Sequence, residues 1–164
     1  MREAFEMDDE LLPVVDEVTG LANRRGFLEM LKMEERRRIR YGGSPTLMIV
    51  DVERSVARIA PEARPEMLVQ IAAVLADAIR DTDTLGRIDD YRFGLLAIGA
   101  GSAPTPITGR LRLFLEMKGV QAAVAVGAPG DLEEAWRQLD GSVRPGLRVV
   151  READAAGQAE SDEL

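Results

Sequence analysis

Residues 85–99 read LGRIDDYRFGLLAIG: a shorter apolar run enters a charged turn and a longer one leaves it. Strand–turn–strand is the natural reading, with Asp89 and Asp90 at the turn and Arg92 just beyond it. Two adjacent carboxylates on such a turn could hold a divalent cation, since hard cations take oxygen ligands. They could equally belong to an ordinary solvated hairpin.

The rest of the composition narrows the chemistry. The chain has 164 residues, 46% of them hydrophobic, which suits a single globular domain with a real core. It carries 21 basic and 29 acidic residues, a net charge of −8, which argues against a nucleic-acid binder. Much of the acid lies at the two ends. With no histidine there is no imidazole base, and with no cysteine no thiolate ligand or disulfide. No apolar run is long enough to span a membrane, and the first residues, MREAFEMDDELL, lack the apolar core of a signal peptide. The expectation is a cytoplasmic protein with no membrane insertion and no cofactor.

Helices and strands alternate around the charged turn. Residues 24–40 read as a helix with Phe27, Leu28, Leu31 and Ile39 on one side and Glu34 four residues before Arg38. TLMIVDV (46–52) reads as a central strand. Pro65 opens a helix whose apolar face is Leu68, Ile71, Ala72, Leu75 and Ile79. A third helix is expected over 105–118, a strand over 120–128, a short helix over 131–139 and a last edge strand over 146–150. The order predicts an α+β fold: a ferredoxin-like, mainly antiparallel central sheet flanked by helices. Residues 1–15 form a short acidic segment, 16–150 the domain and 151–164 a solvated acidic tail.

The segment DEVTGLANRRGF (16–27) closely resembles the opening motif of diguanylate cyclase (GGDEF) domains, D-x-L-T-G-L-x-N-R-R-x-F, with Val18 in place of leucine. The downstream spacing agrees. DVE (51–53) stands where that family has D-x-D, and the G-G-D/E-E-F turn falls on Asp89, Asp90, Tyr91, Arg92 and Phe93. The resemblance therefore covers 16–150 and implies a nucleotidyl-cyclase-like fold. RYGG at 40–43 only mimics the signature, because it ends a helix and no hairpin follows.

The family condenses two GTP molecules into cyclic di-GMP with the help of divalent cations. By resemblance the cation would be held by Asp51, the Val52 carbonyl and the position now occupied by Tyr91, a neutral phenol. The next signature acid is Arg92. A cation there would face like charge, worth ~4 kcal/mol at 4 Å and an effective dielectric near 20. Asp89 and Asp90 replace the two glycines that admit the triphosphate. The guanine-binding aspartate falls on Pro65, and the basic positions of the late phosphate motif fall on Val143 and Leu147. The resemblance thus implies a degenerate signature with no catalytic residues and only a vestigial Asp51.

RDTD (80–83) matches the R-x-x-D at which the family binds inhibitory cyclic di-GMP. The implied ligand residues are Arg80, Asp83 and Arg87, with Arg110 where a further arginine often stands. Guanidinium forks suit phosphate oxygens and the Hoogsteen edge of guanine, and a carboxylate accepts from guanine N–H groups. Alternatively these charges pair among themselves and the domain serves as a protein docking or homodimerisation module without nucleotide. An active cyclase is the third reading and the one the signature opposes.

Overall fold

The computed structural model describes residues 12–98 and 104–142. Residues 47–50 are all apolar because both faces of this strand are covered, so no polar alternation is needed. This strand, β1 (Thr46–Asp51), is central in the sheet. β2 (Thr84–Arg87) and β3 (Arg92–Ala97) form the expected hairpin, and β4 (Ala123–Val126) lies on the other side of β1. The order β2-β3-β1-β4 is antiparallel throughout, the arrangement of two split β-α-β units.

Four longer helices cover the sheet, two on each face. α1 (Arg24–Tyr41) and α5 (Leu132–Ser142) pack on one side over Leu47, Ile49 and Leu96. α3 (Arg64–Ala78) and α4 (Pro104–Met117) pack on the other, over Met48, Val50, Phe93 and Leu95. Alternate residues of β1 thus feed two separate cores, as a pleated strand requires. The expected α+β architecture holds. α2 (Glu53–Val56) and a 3₁₀ turn (Pro61–Ala63) lie in a stretch too short for any period to show.

Two details of α1 differ from expectation. Arg38 pairs with Glu35 at 2.9 Å, rather than with Glu34. Glu35 is itself buried, because its carboxylate accepts the Leu132 N–H and so ties α1 to the start of α5. The buried face of α1 ends there, which leaves Ile39 69% exposed instead of packed. The edge strand expected over 146–150, the late motif with Val143 and Leu147, and the acidic segments 1–11 and 151–164 lie outside the described residues.

The hairpin sits tight against α1 because Gly86 and Gly94 face each other across β2 and β3. The Phe27 ring lies over this pair and meets Trp136 at 5.9 Å between centroids. A Cβ on Gly94 would lie 2.8 Å from the Phe27 ring. Gly94→Ala is therefore expected to destabilise the domain by about 1–3 kcal/mol, the usual cost of overpacking, measured by urea unfolding.

Candidate functional site

The hairpin turn spans Ile88 to Tyr91 and is closed by the Ile88 N–H donating to the Arg92 carbonyl at 2.9 Å. Asp89 turns inward: its Oδ1 accepts the Tyr91 N–H at 3.1 Å and its Oδ2 accepts from Arg92 Nε at 2.6 Å. Arg92, directly across the β1–β3 ladder from Asp51, is only 5% exposed. Its Nη2 also donates to Asp140 Oδ1 on α5 at 2.8 Å. The other oxygen of Asp140 accepts from Arg24 Nη2 at 2.5 Å, and the Arg24 guanidinium stacks 5.2 Å from the centre of Trp136. A chain of alternating charge thus runs from the turn through α5 to the start of α1.

Asp51 is buried at the end of β1. Burial pushes its carboxyl above the usual carboxylate range, reinforced by Glu53 and Asp89 and opposed by the Glu53 N–H and the Arg92 charge. Its Oδ1 accepts that Glu53 N–H at 2.9 Å, which opens α2, and the Val52 carbonyl accepts from the Ser55 and Val56 N–H groups. The Tyr91 hydroxyl lies 3.5 Å from Arg64 Nη1, while the same guanidinium donates to the Ile59 and Ala57 carbonyls. The donor set implied for a magnesium ion is therefore one carboxylate, one carbonyl already engaged twice and a neutral phenol, beside a guanidinium. It does not fit the ion. Among the described residues no three acidic side chains are grouped to hold a metal.

The R-x-x-D segment forms the turn between α3 and β2. Asp83 accepts the Arg80 N–H at 3.0 Å through one oxygen and the Ile98 N–H at 2.9 Å through the other. Arg110, on α4, donates from Nε to the Ala78 carbonyl at 2.7 Å, which brings its guanidinium to the same end of α3. Arg80 and Asp83 share this turn, and Arg110 bonds the backbone two residues before Arg80. Arg87 lies at the far end of β2, roughly 13 Å along the strand from Asp83. There it donates to Asp16 Oδ1 at 3.0 Å and to the Asp90 carbonyl at 3.2 Å.

Asp16 is the organising acid of the opening motif. Its second oxygen accepts both the N–H and the hydroxyl of Thr19. Asn23 caps α1 by accepting the Gly26 N–H, and the Ala22 carbonyl accepts the Arg87 N–H at 2.8 Å. The motif is a structural brace that seals the β2 edge and seats α1 on the sheet. Reading the sequence for sites misses Asp140, Arg24, Trp136 and Arg64 as partners of the hairpin. No spacing rule links positions 48 residues apart; the one available signal is the chain's single tryptophan beside an acid on an amphipathic helix.

The same fold occurs among solved structures. The chain matches a diguanylate cyclase protein of Thermotoga maritima at 26% identity and TM-score 0.64, over 79% of this chain and 100% of that one. The chain has the fold of a GGDEF domain. It also matches the diguanylate cyclase SiaD of Pseudomonas aeruginosa, solved with its activator SiaC, at 24% identity and TM-score 0.63, over 84% of this chain but only 64% of SiaD. A microbial GGDEF domain solved for its interaction with cyclic di-GMP matches at 22% identity and TM-score 0.62, covering 79% of this chain and 89% of that one. No protein-family model and no curated protein matches the sequence.

The Asp16–Arg87 pair makes a pH-dependent contribution to this GGDEF fold. Burial would raise the Asp16 carboxyl, but the Thr19 bonds and Arg87 outweigh it and hold it below its ordinary 3.8. Its stabilisation is fully present above pH 3.8 and is lost as pH falls through the lowered folded value. Asp16→Asn is expected to cost roughly 1–3 kcal/mol at pH 7 and to flatten the loss of stability on acidification, read by denaturant melts between pH 7 and 2.5.

Proposed function

We propose that this chain is a signalling module that does not condense GTP and that binds cyclic di-GMP at the turn of Arg80, Asp83 and Arg110. The observation that carries the first part is Arg92: a buried guanidinium, bonded to Asp89 and Asp140, at the signature position where the cyclases carry an acid. Phosphoryl transfer is mostly positioning and charge neutralisation by metal ions, and the side chains here supply neither the ligands nor the open turn.

The second part is supported by Arg80 and Asp83 sharing one turn, with Arg110 of α4 bonded to the Ala78 carbonyl just before it. Asp83 has each oxygen engaged by one backbone N–H, and a carboxylate has roughly four lone-pair sites, so acceptor capacity remains for guanine. Arg80 is exposed at the surface of this turn. In this reading Arg87 braces the fold with Asp16 and contributes nothing directly to the ligand. The neighbour studied with cyclic di-GMP makes the ligand class chemically natural for this fold.

A protein-docking or homodimer role without nucleotide is the competing reading, favoured by Leu113 and Met117. These lie one turn apart on α4 and are 54% and 71% exposed. Among the described residues no helix is long and apolar enough to cross a membrane.

Two measurements test the proposal. Purified protein incubated with GTP and magnesium or manganese is expected to release no cyclic di-GMP; turnover that vanishes in Asp51→Ala refutes the first part. Calorimetric titration with cyclic di-GMP is expected to show binding that Arg80→Ala and Arg110→Ala each weaken on the order of tenfold to a hundredfold, and that Asp51→Ala leaves unchanged. Absence of heat at high micromolar ligand favours the docking reading.

A further inference from the structure

We propose that Arg92 is a resident counter-cation that latches the hairpin turn to α5, so that the chain itself, rather than a bound ion or nucleotide, sets the conformation of the turn. The inference rests on ion-pair geometry and is independent of whether cyclic di-GMP binds.

Two carboxylates bond Arg92, and a third, Asp51, stands opposite it across the β1–β3 ladder. Asp89 comes from the turn and Asp140 from α5, bonded at 2.6 and 2.8 Å, and Asp51 comes from the end of β1, where the Arg92 charge favours its ionised form. The Arg92 side chain is 6% exposed, whereas those of Asp89 and Asp140 are 30% and 24% exposed. The cation is therefore the buried member, and its partners close over it from the solvent side.

The geometry also suits a guanidinium in particular. Nε and Nη2 serve two different carboxylates, and Nη1 lies 3.4 Å from the Asp140 carbonyl. A planar fork with donors on several edges can satisfy acceptors from separate elements at once. A compact ion would leave some of these acceptors out of reach. Asp140 then passes the constraint on, since its second oxygen holds Arg24, whose Nη1 lies 3.4 Å from the Ile88 carbonyl at the start of the turn. The turn is thus held by α5 through Asp140 and by α1 through Arg24.

Chemical rescue of the full chain tests this. Arg92→Ala leaves facing carboxylates without their counter-charge, and its Tm is expected to fall on the order of 10 °C. Guanidinium chloride at about 10 mM should refill the vacancy and raise that Tm by about 2–4 °C. The same concentration of sodium chloride should not. The wild-type Tm is expected to be unchanged by EDTA or by magnesium at matched ionic strength. A wild-type Tm raised by magnesium, an Arg92→Ala protein as stable as wild type, or equal rescue by sodium would each overturn the proposal. Should Arg92→Ala fail to fold, Arg92→Met keeps most of the side-chain volume for the same comparison. Failure of both variants to fold in guanidinium overturns the rescue, and with it the proposal.

Discussion

A guanidinium taken out of water must find partners, and this requirement organises one end of the domain. Arg92 lies at the start of β3, beside the last residue of the central strand, where a lone charge would be costly. The solution draws on a turn, a strand end and a helix that are far apart in the chain. Asp89 can reach only if the turn bends inward, which its bond to the Tyr91 N–H secures. Asp140 can reach only if α5 lies alongside α1, which the Glu35–Leu132 bond and the Phe27–Trp136 contact secure. Local turn geometry and long-range helix packing are therefore two halves of one electrostatic condition.

Much of the fold is legible in the sequence because it rests on short-range rules. The hairpin shows as two apolar runs around a charged turn, and α3 shows as Leu68, Ile71, Ala72 and Leu75 at helical spacing after Pro65. β1 shows as an uninterrupted apolar run, since both of its faces are buried. What the sequence hides depends on contacts between distant segments. Ile39 has the spacing of a core residue, but the helix that would cover it begins opposite Glu35, one turn earlier. Arg38 has an acid both three and four residues before it, and burial of Glu35 decides between them.

The candidate site was legible to a different degree in each of its parts. The signature turn and the R-x-x-D turn are found by motif and spacing, and both lie on loops beside strands. Motif spacing alone does not say which arginine belongs to which turn. Arg80 and Arg87 are seven residues apart, yet β2 carries Arg87 to the opposite end of the sheet, where Asp16 takes it. Arg110 is thirty residues from Arg80 and is brought back by a single bond to the end of α3. Strand length and helix packing sort the charges into a brace and a candidate binding turn.

The brace formed by the opening motif stands apart from the side chains of the hairpin turn. Asp16, Thr19 and Asn23 together close a loop, cap a helix and cover a strand edge. None of these bonds uses a side chain of residues 89–93, so substitutions at the hairpin turn would leave the bracing bonds of residues 16–27 in place.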